Sequence, residues 1–428
     1  MRSRGAAALI ALAAVVLLST VVPPWAASGA AGSPTSTPPP TPVPPKNSPS
    51  PYPTALATPP PSTTPPSITA QAAVLEDAST GQVLYSVNAT KRRAIASLTK
   101  IMTGLIAVRR GHLSASTTVS AGAAAQPGSD MDLEAGEVIT VRNLLSGMLL
   151  SSANDAAYAI AEHEAGTASA FVARMNARAR AMHLRHTHFA SPSGLNDLGY
   201  SDALDLAALA RAAERSPTFA DVVATKVAEV PSPSGRVRIL QNRNALLWLY
   251  RGADGVKTGF TGRAGWCLVA SARRGDRSLV AVVLGSSSQD HSFFDAAALL
   301  NYGFLEFRSE TPITVGQSLG RVRVDGLPVP AYALDTANVL VRRDLVRRVR
   351  IRLTASPGVT LPVVAGQTVG TATILAGRRP AGSVAIAALT PVAAPRVPVK
   401  TTRTWISAYE DVWRLFGAMA RSTVGTFL

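Results

Sequence analysis

The sequence predicts an α/β domain followed by a small all-β domain and a C-terminal amphipathic helix. Three observations carry this. Strand-like runs near residues 70–90 and 265–290 bracket a long stretch of helical periodicity, so one sheet is assembled from distant parts of the chain. Beyond Phe307, short β-branched runs alternate with Gly and Pro turns. Residues 401–428 repeat apolar side chains at helical spacing.

The 428 residues leave room for two or three domains and at least one sizeable core. Nearly half are hydrophobic and 16% are charged, which excludes wholesale disorder. The net charge of +16 comes from 42 basic against 26 acidic residues. Six of the basic residues are lysine and the arginines are scattered, which argues against a nucleic-acid-binding stripe. A basic surface still favours an anionic neighbour, such as a membrane face or a wall polymer. The single cysteine, Cys267, excludes an intrachain disulfide and a cysteine-based zinc cluster.

Residues 1–30 have the pattern of an export signal: Arg2 and Arg4, an uncharged run from Gly5 to Val22, then small residues at 26–31 suited to cleavage. The same run approaches the length of an uncleaved membrane anchor. Residues 31–67 hold fifteen of the 31 prolines among Ser and Thr and form an extended spacer, with peptide-motif binding as the alternative. The first folded domain spans residues 68–305. AAVLEDASTGQVLYSVNA gives two strands joined at Ser79–Gly81, and helices dominate from Ser97 to about Glu214. WCLVASARR and RSLVAVVLGSSS pair through Gly275–Asp276, and FFDAAALLNYGF returns to helix. Residues 306–395 form the β domain, from runs such as RVRV, NVLVRR, RVRIRL and TATIL.

The chain has no GxSxG elbow, HExxH pair or GxxxxGK[ST] loop. His183, His186 and His188 are loop and surface residues, and no metal-ligand set or cofactor motif is present. Three short elements do stand in a suggestive order. Ser97 and Lys100 open the apolar run SLTKIMTGLIAV, where a spacing of three puts them on one helix face. A desolvated lysine there can act as base to the serine, although alone the pair could be a cap with a surface lysine. Ser152-Ala153-Asn154 sits on a helix–helix turn and offers a hydroxyl and an amide, or merely caps the next helix. Lys257-Thr258-Gly259 precedes a β-hairpin. There Gly259 lets a substrate backbone approach while Lys257 and Thr258 supply anion-binding donors.

SxxK, then SxN, then KTG is the signature of penicillin-recognising serine enzymes. The words SSANDAA, FVARMN, THFASPSGL, NALLWLYRGADGVKTGFTGRAGWCLVASA and ALLNYGF, over about Ala70 to Phe304, resemble the serine-type D-alanyl-D-alanine carboxypeptidases, the low-molecular-mass penicillin-binding proteins. LPVVAGQTVGTATIL resembles their C-terminal domain more loosely.

That resemblance implies a β-lactamase/transpeptidase-like domain, an antiparallel sheet flanked by helices. It makes Ser97 the acyl-accepting nucleophile, Lys100 its general base and Ser152 the proton carrier toward the leaving amine. Lys257 holds that network charged, Asn154 binds the substrate's peptide and Thr258 its terminal carboxylate. The N–H groups of Ser97 and Phe260 form the oxyanion hole beside Gly259. The implied partners are peptidoglycan stem peptides and β-lactam antibiotics, and the implied place is outside the cytoplasm, at the membrane or wall. No metal, organic cofactor or nucleic acid is implied.

Glu162, Glu164, Glu214 and Glu229 begin no ExxLN-type word, so the deacylating glutamate of a class A β-lactamase is missing. A crosslink-cutting endopeptidase shares the motifs but usually lacks the β domain. A non-catalytic wall-binding scaffold is argued against by the intact motifs. One position departs from the family pattern: Ser292 stands where an arginine that helps bind the substrate carboxylate is common.

In the tail, Trp405, Ile406, Tyr409, Val412, Trp413, Phe416, Met419, Ala420 and Val424 share one helical side, with Arg403, Glu410, Arg414 and Arg421 opposite. This pattern resembles the family's amphipathic anchor for the outer face of the cytoplasmic membrane. Docking on the β domain and self-association are the alternatives.

Overall fold

In the computed structural model, which describes residues 64–395 and 405–424, AAVLED forms β1 (Ala72–Asp77) and VLYSV forms β2 (Val83–Val87). The signal, residues 31–63 of the spacer and the two ends of the tail lie outside the described residues. Asp77 builds the turn between β1 and β2: its Oδ1 accepts from the backbone N–H of Thr80 at 2.8 Å and from that of Ser79 at 3.1 Å.

A 3₁₀ turn (Ala96–Thr99) then runs into α1 (Lys100–Arg110). A two-stranded ribbon follows, β3 (Ser116–Thr118) with β4 (Val138–Thr140), and encloses the single-turn α2 (Ala121–Ala124). The helical layer continues with α3 (Val141–Leu150), α4 (Asn154–Ala165), α5 (Ala168–Ala181), α6 (Ala203–Glu214) and α7 (Pro217–Ala224). A second ribbon, β5 (Val227–Pro231) with β6 (Val237–Gln241), and the short α8 (Leu246–Leu249) lead to β7 (Ala253–Thr261), β8 (Gly265–Arg274) and β9 (Arg277–Ser286). α9 (Gln289–Glu306) closes the domain, capped by Ser288, whose Oγ accepts from His291 N–H at 3.1 Å.

The main sheet has the order β2-β1-β9-β8-β7 and is antiparallel throughout, so its strands do come from both ends of the domain. Strand alternation divides its side chains between two cores. Ala72, Val74, Val269, Val280 and Val282 face the helical layer, while Ala73, Leu75, Leu268, Leu279 and Ala281 face α9. Each fully buried valine or leucine among them stabilises the fold by about 1.5–3 kcal/mol, and each alanine by less. Asp295 of α9 ties in the start of the domain: it accepts from the Thr69 and Ala70 N–H groups, both at 2.9 Å, and from the Ser286 hydroxyl at 2.8 Å.

The residue after α9 begins β10 (Phe307–Ile313), which pairs with β13 (Ala337–Arg342). A five-stranded antiparallel sheet is built from β11 (Ser318–Val324), β12 (Leu327–Ala333), β14 (Val349–Ala355), β15 (Thr368–Ala376) and β16 (Arg379–Ala388), in the order β11-β12-β16-β15-β14 around its own core. The side-chain amide of Gln82 spans the two folded parts, donating to Leu340 O at 2.6 Å and accepting from Leu340 N–H at 2.8 Å.

The tail forms α10 (Trp405–Val424). Tyr409, Val412, Trp413, Phe416 and Met419 are exposed along it, with the Trp413 ring 5.9 Å from that of Tyr409 and 6.3 Å from that of Phe416. Among the described residues, no helix is long and apolar enough to cross a membrane.

Candidate active site

Ser97 lies in the 3₁₀ turn at the head of α1, and Lys100 is the first residue of that helix. Lys100 is fully buried, with Nζ 3.0 Å from Ser97 Oγ, 2.7 Å from Asn154 Oδ1 and 2.8 Å from the Ser193 carbonyl oxygen. The last two partners can only accept. A neutral amine therefore spends both its N–H groups on Asn154 and Ser193, and its lone pair is left to accept the Ser97 hydroxyl proton. Burial lowers the Lys100 pKa to about 7, helped by the nearby Arg243 cation and opposed by Asp155.

The Ser193 carbonyl is held by a close fit between the 191–194 loop and the turn of Ser97. Gly194 has φ +79°, and a Cβ on it would fall 2.0 Å from Ala96 O, so a side chain there has no room. Thr103 donates to Pro192 O at 2.7 Å, and Gly194 N–H donates to Ser191 Oγ at 2.9 Å.

Ser152 and Asn154 sit where expected, between α3 and α4. Both are buried, and Ser152 holds a left-handed φ of +68°, as Ala96 does at +47° beside the nucleophile. Asn154 is engaged within the protein. Its Oδ1 accepts from Lys100, and its Nδ2 donates to Pro127 O at 2.7 Å. One amide N–H is thus left for a ligand. The neighbouring Asp155 accepts from the N–H groups of Met131 and Leu133, both at 3.1 Å, which fastens the 127–133 loop to the start of α4.

Lys257, Thr258, Gly259 and Phe260 lie inside β7, the first strand of the hairpin rather than a segment ahead of it, and β7 is the sheet edge beside Ser97. Lys257 and Gly259, two residues apart, face the same way. A Cβ on Gly259 would be 3.2 Å from Ser97 N and 3.1 Å from Ile95 O, so the strand rests directly on the turn of the nucleophile. Lys257 is buried and donates to Thr258 O at 3.1 Å. Burial, Lys100 and Arg243 together press its pKa well below the ordinary lysine value. The Phe260 ring is 51% exposed and stacks on Trp266 at 4.1 Å, leaving the Phe260 main chain alongside the turn of Ser97.

Sequence reasoning missed Arg243, the cation that bears on both lysines, because NRN matches no chemical motif. It also gave no role to the Ser193 carbonyl, although SPSG was among the words carrying the resemblance. Ser292 is buried in the first turn of α9, and its hydroxyl donates to Gln289 O at 2.6 Å, so it offers no donor in place of the missing arginine.

A family model described as D-alanyl-D-alanine carboxypeptidase matches residues 60–288. The D-alanyl-D-alanine carboxypeptidase DacF of Bacillus subtilis is 33% identical over 312 residues, covering 71% of this chain and 80% of that protein. Among solved structures, the D-alanyl-D-alanine carboxypeptidase DacD from Francisella tularensis is similar with a TM-score of 0.66 at 27% identity, covering 81% of this chain and 98% of that one. Penicillin binding protein 5 from Haemophilus influenzae gives 0.66 at 29% identity, over 78% of this chain and all of that one.

Proposed function

The chain belongs to the D-alanyl-D-alanine carboxypeptidase family, and from that premise we propose that Ser97, Lys100, Ser152 and the β7 edge carry its chemistry. The protein is a serine D-alanyl-D-alanine carboxypeptidase of peptidoglycan that acts outside the cytoplasm and is acylated by penicillin. The carrying observation for the site is the buried Lys100, whose two N–H groups have fixed acceptors and whose third contact is the Ser97 hydroxyl at 3.0 Å.

Lys100 takes the Ser97 proton as Oγ attacks the carbonyl of the penultimate D-alanine. The oxyanion meets the N–H groups of Ser97 and Phe260, a donor pair of the kind for which losing one member costs about 10²–10³ in rate. Ser152 returns the proton to the leaving D-alanine, and water then hydrolyses the acyl-enzyme. Thr258 takes the terminal carboxylate. That negative charge favours the protonated form of Lys257, so the lysine gains its charge as substrate arrives. Asn154 positions Lys100 and turns its remaining N–H to the peptide.

The exposed aromatic face of α10, with the exposed Arg414 away from it, supports docking along the outer face of the cytoplasmic membrane. Such a helix lies in the interface and does not span it.

Mass spectrometry of a stem pentapeptide incubated with the purified protein tests the reading, with loss of one alanine as the expected product. Ser97→Ala should abolish both this product and labelling by a fluorescent penicillin while leaving the thermal melt nearly unchanged. Labelling that survives the substitution would remove Ser97 from its role.

A further inference from the structure

The β domain carries a strongly basic outer face. Residues 306–395 hold eleven arginines and no lysine against five acids. The five-stranded sheet curls until its edge strands β11 and β14 come within 8 Å, Cα to Cα. Val322 and Val324 of β11 belong to the core of the domain, and Val349 and Leu353 of β14 pack against it. Alternation therefore turns Arg321, Arg323, Arg350 and Arg352 outward, and all four are exposed. Gly377 N–H donates to Arg348 O at 3.2 Å, which brings the exposed Arg348 and Arg378 to the Arg350 end of β14.

This ladder is not paired off within the protein. None of its four arginines takes part in an ion pair among the described residues. Two acids of the domain are engaged elsewhere: Asp344 pairs with Arg342 at 2.6 Å, and Asp325 accepts from Leu361 N–H at 2.8 Å. Edge charges commonly keep a foreign strand off a sheet. Here β11 and β14 already flank each other, which leaves the arginines without that task. Guanidinium forks match phosphate oxygens, so a row of them fits a surface of phosphates. Residues 396–404 join the β domain to α10 and span at most about 36 Å even when fully extended. With α10 in the interface, the ladder is held that close to the headgroups, where lipid is at high effective concentration.

We infer that this arginine ladder is a second membrane contact, which lays the β domain against anionic phospholipid headgroups while α10 supplies the apolar contact. The inference goes beyond the carboxypeptidase reading and rests on the docking of α10. The ladder strengthens that docking without replacing it, because its attraction is electrostatic and is screened over about 8–10 Å at physiological salt. Two contacts on one chain give firm attachment where either alone is marginal.

The test measures partition of the full chain onto two kinds of vesicle, neutral phosphatidylcholine and an equimolar mixture with phosphatidylglycerol. Combining Arg321→Gln, Arg323→Gln, Arg350→Gln and Arg352→Gln should lower partition onto the anionic vesicles at least about tenfold at low ionic strength. Partition onto neutral vesicles and turnover of a stem pentapeptide in solution should not change. In about 1 M salt the two proteins should bind alike. Should the fourfold variant fail to fold, Arg350→Gln with Arg352→Gln should still lower anionic partition at least about threefold. Unchanged anionic partition, or an equal fall on both vesicles, overturns the ladder while leaving the helix in place. A variant that keeps its vesicle binding but is no longer retained on immobilised poly(glycerol phosphate) assigns the face to a wall polymer and overturns the lipid contact. A wild type that binds neither vesicle overturns the docking of α10 and the ladder with it, and leaves the carboxypeptidase untouched.

Discussion

Gly259 stands against the main chain of Ser97: a methyl group on it would lie 3.2 Å from the Ser97 nitrogen. The edge strand and the turn of the nucleophile are therefore one packed unit, and the spacing of the two oxyanion donors depends on a missing side chain.

Gly259→Ala should push β7 away from that turn by a few tenths of an ångström and misplace Phe260 N–H. Acylation by penicillin is expected to slow by about 10²–10³, the cost of losing one oxyanion donor. Stopped-flow acylation measures this, and an unchanged rate would show that the strand does not set the site.

Lys100 works as a base in its neutral form, and its pKa is lowered to about 7, so acylation should rise with pH through about 7 and level off above it. Arg243 is one cause of the lowering. Removing that cation with Arg243→Ala raises the Lys100 pKa and moves the inflection to higher pH, which a pH profile of the acylation rate reads directly. Lys100→Arg keeps a charge without an available lone pair and should cost about 10²–10⁴ in rate.

Glu214, at the end of α6, has its carboxyl against Gly255 and Ser271, and burial raises its pKa from 4.5 to about 7. The folded state therefore holds a proton between these values that the unfolded chain has released, and stability falls as pH rises from about 4.5 to 7. Glu214→Gln removes that dependence. It should raise Tm at pH 8, by about 2–4 °C for each kcal/mol recovered, with little gain at pH 4. Melts at the two pH values that shift equally would contradict the assignment.

Deleting residues 401–428 should give an active protein that no longer floats with anionic liposomes. Trp413→Glu should weaken flotation without abolishing it, because apolar area and arginine attraction both contribute. A truncated protein that still floats places the membrane contact elsewhere in the chain.

The sheet was legible because its strands are apolar on both faces and bounded by Gly turns, and the three motifs because their spacing is chemical. The ribbons at 116–140 and 227–241 were not. STT and VIT are three-residue strands whose outward positions are polar or exposed, so they show no period to read. Lys257 was set ahead of the hairpin because a lysine interrupts the strand pattern; it is buried there by the helical layer, which no local rule describes. The inward turn of Asn154 and the weight of Arg243 are likewise tertiary facts, arising where α4, β7 and the 191–194 loop converge.

The left-handed backbone at Ala96 and Ser152 limits how far the protein can be hardened against heat. An L-residue in that conformation costs about 1–2 kcal/mol relative to a helical one, and glycine would adopt it freely. At position 96 the substitution leaves the hydroxyls alone and touches no proton path, but it removes a methyl group from the core, so lost burial offsets part of the relief. At position 152 the same change deletes the hydroxyl proposed to protonate the leaving amine. Endurance and turnover are separable at one of these turns and opposed at the other.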